Sequence, residues 1–367
     1  MKKSLFTISI AILCATGLFL APEVAVAQQS IGELVKAKDD ANKLVRTYIA
    51  PAGKAVGHSL NSGWFNSGQA LEAGRFDIRV YATIALGSEE DKTFDISQQG
   101  LSPRIRLAPG EPSIAPTVFG GVNEGPEMIV YGTNPYTNQE EELGRFNTPQ
   151  GLGINFAPLA VPQVSVGIGG GTEVAVRFLP KIRFREDYQV NLWGVGLKHS
   201  LKQWIPVIGS VSGFDVTAFG GYTHLRASAD LNIPPTQEYN RRPVTQSNAD
   251  FDNQQLVYIT KAWTASVIAS KTLGVITLYG GLRYSDSDTR LAAEGNYPLV
   301  NVRTQVLPPF YEYYIDPIET PIDVAVHDSQ VGVNAGFRLK LAFFSIYAEG
   351  TYAKYPTAAA GIGVGWN

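Results

Sequence analysis

The stretch TAAAGIGVGWN, residues 357–367, alternates apolar residues with small or polar ones. Its apolar face carries Ala358, Ala360, Ile362, Val364 and Trp366. Successive side chains of a strand point to opposite faces, so the pattern predicts a strand between lipid and a polar interior. The sequence therefore predicts an all-β fold, an antiparallel transmembrane β-barrel.

The same alternation recurs upstream. It is found at residues 75–86, 161–169, 172–185, 188–198, 214–226, 255–271, 275–286, 330–341 and 345–354. A strand crosses a bilayer at a tilt with about 9–11 residues, so each segment is long enough. Short turns at 169–171, 273–274 and 342–343 alternate with long polar connections at 228–254 and 287–329, which is typical of outer-membrane barrels.

The number of strands depends on residues 89–158, which are rich in Pro and Gly. Ten strands are clear elsewhere, and a chain that enters upward and ends downward has an even number. This segment can add none, two or four. We predict twelve strands, within a range of ten to fourteen.

Residues 1–27 have the features of a secretion signal. An apolar run at 5–21 follows Lys2 and Lys3, and the tripeptide AVA at 25–27 is a signal-peptidase pattern. We predict cleavage after this tripeptide and export to the outer membrane of a Gram-negative cell. An uncleaved anchor helix is the alternative.

The composition agrees with an exported barrel. The chain has 37 Gly, 17 Tyr and 17 Phe, and a mean hydropathy of −0.02, which suits strands with only every second residue on lipid. Removal of Lys2, Lys3 and Glu23 with the signal leaves 28 basic and 32 acidic residues, a net charge of −4. This mild charge gives no indication of a nucleic-acid partner. The single cysteine, Cys14, lies in the signal, so we expect no disulfide.

Residues 30–49 carry apolar side chains at three- and four-residue spacing, which predicts an amphipathic helix that ends at Ala50-Pro51. We predict that residues 28–74 form either a periplasmic extension or a plug in the lumen, ahead of a barrel at 75–367.

A second short amphipathic helix is predicted over residues 197–206, with Leu197, Leu201, Trp204 and Ile205 on one face. It would lie at the periplasmic interface of the outer membrane or pack under the barrel as an ordinary turn helix.

Several stretches carry a family resemblance: LNSGWFN at 60–66, VAVRFLPKI at 174–182, WGVGLKHSLKQWIP at 193–206 and FDVTAFGGYTHL at 214–225. Together they resemble an uncharacterised family of Gram-negative outer-membrane β-barrels. The design is more loosely similar to long-chain fatty acid transporters, in which a helical or hatch segment precedes a fourteen-stranded barrel. None of that class's ligand residues matches a position here.

The last strand also resembles the barrel-assembly signal, which normally ends on an aromatic residue; here Asn367 follows Trp366. The resemblance implies the barrel-assembly machinery and outer-membrane lipid as partners.

The predicted strand phase places many cations on the inner wall. They are Arg79, Arg177, Lys181, Arg183, Arg283, Arg338 and Lys340, against Asp77, Glu173, Asp215 and Glu349. A basic lumen favours anionic solutes or the carboxylate of an amphipathic ligand. Charge ladders that pair across strands are the structural alternative.

Two aromatic groups stand out. Trp64 and Phe65 form either a hydrophobic ligand site at the base of the lumen or the wedge that holds the segment in place. The outer-loop residues Phe310, Tyr311, Tyr313 and Tyr314 are candidates for binding sugars or partner proteins, or for a lid or an interfacial belt.

Catalytic and metal signals are poor. If His327-Asp328-Ser329 is extended, alternation separates Asp328 from the other two, so they form no triad. Asp286-Ser-Asp288 fits a solvated acidic turn better than a calcium loop. We expect no enzyme, cofactor or metal.

The favoured function is passive passage of a small hydrophobic, amphipathic or anionic solute through a largely occluded lumen. The alternative is a structural barrel that binds partners through its long outer loops.

We predict that the protein recovered from outer membranes begins at Gln28. Intact-mass analysis and N-terminal sequencing check this, and a chain that retains residues 1–27 would favour the anchor helix.

Overall fold

The computed structural model describes residues 37–366, apart from 134–137, 185–186, 206–210, 240–241 and 306–310. Within them lie the helix α1 (Lys38–Asn61) and short 3₁₀ turns at Glu89–Lys92, Ile96–Gln98 and Lys202–Trp204. The strands are β1 (Phe76–Leu86), β2 (Thr93–Asp95), β3 (Ile105–Leu107), β4 (Ile114–Pro116), β5 (Glu127–Thr133), β6 (Glu140–Asn147), β7 (Phe156–Gly169), β8 (Thr172–Phe184), β9 (Tyr188–Ser200), β10 (Phe214–Asp230), β11 (Glu238–Tyr239), β12 (Arg242–Thr245), β13 (Gln255–Leu273), β14 (Ile276–Glu294), β15 (Asn296–Thr304), β16 (Tyr311–Glu319), β17 (Asp323–Leu341), β18 (Phe344–Tyr352) and β19 (Thr357–Trp366).

Ten strands close an antiparallel barrel in the order β1-β19-β18-β17-β14-β13-β10-β9-β8-β7, with β7 returning to β1. The closing pair runs from Phe76 opposite Trp366 to Ala85 opposite Thr357. The all-β barrel is confirmed, and the ten segments with clear alternation are its ten strands.

The prediction of twelve strands is wrong, because the described part of residues 89–155 adds none to the wall. They form two small sheets, β2-β4 and β3-β5-β6. Their strands have three to eight residues, which is shorter than the roughly 9–11 that a tilted crossing requires.

The turns follow the predicted alternation, but several strands are longer than predicted. β13, β14 and β17 each have 19 residues, so much of the predicted loop at 287–329 is strand. Within the remainder, β15 and β16 join β11 and β12 of the other long connection in a four-stranded sheet, β11-β12-β16-β15. At the short β7–β8 turn, Gly169, Gly170 and Gly171 have φ values of 95°, 59° and 73°, a conformation that glycine adopts without strain.

A bulge in β8 reverses its phase. The pairing with β9 shifts between Leu179 and Ile182. Beyond the shift, Ile182 and Phe184 pack against the core, while Lys181 and Arg183 are exposed. The prediction that Lys181 and Arg183 face the lumen is therefore wrong, because an extra residue moves all following side chains to the opposite face.

The helix is not ended by Pro51, which lies inside α1. A proline removes one helical N–H group and crowds the preceding turn. The missing bond is the one to the Thr47 carbonyl. In the same turn, the Tyr48 carbonyl accepts a hydrogen bond from the Val118 N–H group of an outer loop at 3.0 Å. In the described part of the chain, no helix is both long and apolar enough to span a bilayer.

The predicted helix over 197–206 is also wrong. Leu197 is a half-exposed outward residue of β9, and only Lys202–Trp204 forms a single 3₁₀ turn. The spacing of its apolar residues fits a helix, but the strand pairing of Leu197 with Gly220 prevails.

The outer face of the barrel has the polarity of a transmembrane protein. Its middle is apolar and exposed, with Ile78, Val80, Val267, Leu282, Val333, Ile346 and Ile362 each at least half exposed. Aromatic rings border this band: Phe76, Phe343, Phe344 and Trp366 at the end with the short turns, and Trp193, Tyr222, Trp263 and Tyr284 toward the long loops. Beyond the second border, Lys261, Asp288 and His327 are register neighbours. The band and its borders match the lipid-facing surface of outer-membrane barrels.

Leu282→Arg is expected to lower the free energy of unfolding in lipid vesicles by about 2–4 kcal/mol, because it places a charge in this band. Ser329→Arg, an outward position in register with Trp263 of the aromatic border through Asp286, is the matched control and should cost under about 1 kcal/mol. Equal effects, measured by urea unfolding in vesicles, would contradict a lipid-facing band.

Candidate functional site

The second half of α1 and the segment after it, residues 51–68, lie inside the barrel, whereas the first turns of α1 contact the outer sheets, with Asp40 accepting from Ser102. α1 packs against β1, β7, β10, β13, β14 and β17, and its buried apolar side chains include Ala52, Ala55, Val56 and Leu60. Gly57 lies against β14, where a Cβ atom would come within 2.1 Å of Ser287 Oγ. Small residues on α1 therefore allow the helix to fit against the wall.

Arginines of the inner wall bind the carbonyl groups at and beyond the end of α1. Arg177 Nη1 donates to the Leu60 carbonyl at 2.5 Å, and its Nη2 donates to the Ser62 carbonyl at 2.7 Å. Arg79 Nη2 donates to the Trp64 carbonyl at 2.6 Å. The last carbonyls of a helix have no hydrogen-bond donor within the helix and carry the negative end of its dipole. The arginines supply donors to these carbonyls, and the dipole stabilises their positive charge.

Trp64 and Phe65 are both 1% exposed. The Arg177 guanidinium lies 3.4 Å from the centre of the Trp64 ring, a cation–π contact. A Cβ atom at Gly196 or Gly221 would come within 2.9 Å of the indole, so these two wall glycines make its pocket. Of the two predicted arrangements, this geometry is that of a wedge.

Other charges of the inner wall form ion pairs. Arg283 pairs with Glu349 at 2.6 Å and Lys198 with Glu173 at 2.7 Å across strands, and Arg79 pairs with Asp77 at 3.5 Å within β1. Removing one partner of such a buried pair is strongly destabilising because it leaves an uncompensated charge. The sequence analysis missed Lys198 because it assigned the residue to a helix. The alternation of β9 is the signal that would have found it.

The remaining candidates of the inner wall differ in burial. Arg338 is 6% exposed, whereas Lys340, two residues further along β17, is half-buried. Asp215 is also half-buried, with its Oδ1 3.7 Å from Lys202 Nζ.

The lumen is divided into two zones. The buried charges lie from mid-barrel toward the end with the short turns. Toward the long loops, Leu159, Val190, Leu192, Leu225 and Tyr258 form an apolar cluster with α1. On the opposite side of the helix, Ser287 and Thr289 of β14 and Asp328 of β17 make the wall polar. An amphipathic interior of this kind can accommodate a ligand with an apolar body and an anionic end.

His58 on α1 and Asp328 on β17 form a contact that the sequence analysis did not predict. His58 Nε2 lies 2.8 Å from Asp328 Oδ2, and Lys54 Nζ lies 3.8 Å from Asp328 Oδ1. Asp328 faces the lumen, whereas His327 and Ser329 are exposed outward, so the predicted separation of His327-Asp328-Ser329 is confirmed.

Asp286 and Asp288 lie within β14 rather than in the predicted acidic turn, because β14 continues to Glu294. Outside the barrel, His327 Nδ1 lies 3.0 Å from Asp288 Oδ1 and its Nε2 lies 3.6 Å from Asp286 Oδ2. The imidazole already bridges the two carboxylates, which accounts for the cluster without an ion.

Of the predicted outer-loop aromatics, Tyr311, Tyr313 and Tyr314 lie half-buried in β16, and Phe310 lies outside the described residues. The guanidinium carbon of Arg242 lies 4.2 Å from the centre of the Tyr311 ring. The tyrosines therefore belong to an ordered sheet and not to a free loop.

The same sheet contains the carboxylate of Glu312. Hydrogen bonds from Thr245 and Arg303 hold the pKa of this carboxyl below its usual range. Glu312 is therefore charged at neutral pH and ties β16 to β12 and β15.

The molecule is thus a ten-stranded antiparallel barrel with a helical segment in its lumen. The chain belongs to a family of unknown function, DUF6588, whose model matches residues 1–366. The resemblance to an uncharacterised barrel family is confirmed. No curated protein matches the chain.

Among solved structures, the chain is similar to three bacterial barrels. The outer membrane protease OmpT of Escherichia coli shares 9% identity at a TM-score of 0.31, over 82% of this chain and 100% of that one. The attachment invasion locus protein Ail of Yersinia pestis shares 10% identity at a TM-score of 0.23, over 80% of this chain and 99% of that one. The translocator domain of the autotransporter NalP of Neisseria meningitidis shares 9% identity at a TM-score of 0.26, over 81% of this chain and 89% of that one. TM-scores this low transfer no property to this chain.

Trp64→Ala is expected to lower the free energy of unfolding by about 3–5 kcal/mol, because it leaves a cavity between Arg177 and the wall glycines. Trp204→Ala is the control, since Trp204 is 70% exposed, and it should cost under about 0.5 kcal/mol. Urea unfolding in vesicles measures both, and similar values would contradict the wedge.

Proposed function

We propose that this protein is an outer-membrane conduit for small amphipathic anions, closed at rest by residues 38–74. The signal predicted at 1–27 would direct its export, and the apolar band bordered by aromatic rings supports placement in a bilayer.

The observation that carries the proposal is the order of the two zones along the lumen. A solute that enters from the long loops meets the apolar cluster around Leu192 and Leu225 first and the buried cations next. Five buried cations, Arg79, Arg177, Lys198, Arg283 and Arg338, stand against three buried carboxylates, Asp77, Glu173 and Glu349. The excess of positive charge in a low-dielectric interior attracts an anionic group.

Passage requires displacement of the segment, because α1 and Trp64 occupy the space between the strands. Its polar contacts include three hydrogen bonds from wall arginines to main-chain carbonyls. Such bonds exchange with water at a modest net cost of about 0.5–1.5 kcal/mol each, or about 1.5–3 kcal/mol where a charge is involved. A segment held in this way can move without disrupting the strand pairing of the wall.

A reversible crosslink tests the proposal. Ser62 Oγ of the segment donates to Thr357 Oγ1 of β19 at 2.7 Å, so Ser62→Cys/Thr357→Cys places two sulfurs within bonding reach. We expect the oxidised variant to block uptake of taurocholate, an amphipathic monoanion, into vesicles, and reduction to restore it.

A crosslink within the wall is the matched control. Thr272 and Thr277 join β13 to β14 with their hydroxyl oxygens 3.1 Å apart, so Thr272→Cys/Thr277→Cys leaves the segment free. It should transport at the wild-type rate when oxidised. Uptake that continues through oxidised Ser62→Cys/Thr357→Cys, or no uptake by the wild type, would refute the proposal.

A further inference from the structure

A cavity of about 220 Å³ lies in the barrel at the end where β1 begins and β19 ends. Its inner side is formed by the segment that follows Trp64, including Asn66, Ser67 and Gln69, and its wall includes Arg338. Arg75 and the exposed Glu72 lie at its rim. The cavity is therefore polar and reachable from the side of the short turns.

Arg338 is buried in this cavity with unused hydrogen-bonding capacity. Its Nε atom is buried and has no hydrogen-bond partner. Its Nη1 lies 3.5 Å from Asn66 Oδ1 and its Nη2 lies 3.4 Å from Thr277 Oγ1, both long for hydrogen bonds. A guanidinium that is 6% exposed and so weakly bonded is costly unless another group binds it.

The carboxylates that line the cavity are engaged elsewhere. Glu173 Oε2 accepts from Lys198 Nζ at 2.7 Å and from the Leu71 N–H group at 3.1 Å. Asp77 Oδ2 lies 3.5 Å from Arg79 Nη1 and accepts from Asn66 at 3.2 Å.

At the rim, Arg75 pairs with Glu72 at 3.9 Å. Among the residues described, Arg338 is thus the lining cation that remains without an ion pair.

We propose that this cavity binds a small hydrophilic monocarboxylate, with its carboxylate on the Arg338 guanidinium. One unpaired positive charge matches one negative charge. A dianion would add a second charge close to Asp77 and Glu173. The planar guanidinium suits a carboxylate, and the hydroxyl and amide groups of Ser67 and Gln69 suit a hydroxylated body. This site requires no passage through the barrel, so it stands apart from the proposed conduit.

Isothermal titration of the mature barrel in detergent with L-lactate tests the site, with uncharged lactamide and inorganic phosphate as comparison ligands. We expect L-lactate to bind, lactamide to give no heat of binding, and phosphate to bind more weakly. Arg338→Gln should weaken L-lactate binding by about ten- to a hundredfold, because it removes the charge-assisted hydrogen bonds. Lys340→Gln makes the same charge change two residues away on β17 and should retain the wild-type affinity.

Several results would overturn the site: no L-lactate binding by the wild type, equal binding of lactamide, tighter binding of phosphate, or equal losses in the two variants. If Arg338→Gln does not fold, as judged by heat-shifted gel mobility, the three-ligand comparison on the wild type still decides. Because binding is measured in detergent, failure of taurocholate uptake in vesicles leaves this result intact.

Discussion

The structure depends on the contact between Arg177 and the end of α1. Arg177 is fully buried, and its hydrogen bonds go to neutral groups, including the carbonyls of Leu60 and Ser62. In this arrangement each satisfies the other: the helix end needs donors, and the buried guanidinium needs acceptors. The segment and the wall are therefore parts of one interior, and the position of Trp64 under the same guanidinium follows from it.

The alternation of side chains was sufficient to predict the wall. All ten strands with that pattern lie in the barrel, since a strand between lipid and lumen must alternate. The failures occur where a single residue breaks a rule that the pattern assumes. The bulge between Leu179 and Ile182 reverses the face on which the following side chains of β8 lie, and α1 continues through Pro51 to Asn61.

The candidate site was predictable in part. Arg79, Arg177, Arg283 and Arg338 follow from strand phase and are buried in the lumen. The partners of these arginines are not predictable from strand phase. All four arginines bind or approach backbone atoms, ring faces or side chains of residues 60–66, most of which have no periodic pattern. Gly196 and Gly221 make room for Trp64. The role of such a glycine depends on which side chain of the segment lies against it, and strand phase alone does not determine that side chain.

The seam between β1 and β19 has a consequence for the order of assembly. Phe76 and Trp366 pair although almost the whole barrel separates them in the chain, so this seam closes late and slowly. Residues 51–68 precede β1 and are almost entirely buried, and Ser62 Oγ donates a hydrogen bond to Thr357 Oγ1 of β19 beside the seam. The pairing of the first strand with the last therefore completes the enclosure of the residues that precede the barrel. The two ends of the chain determine together whether the lumen is filled.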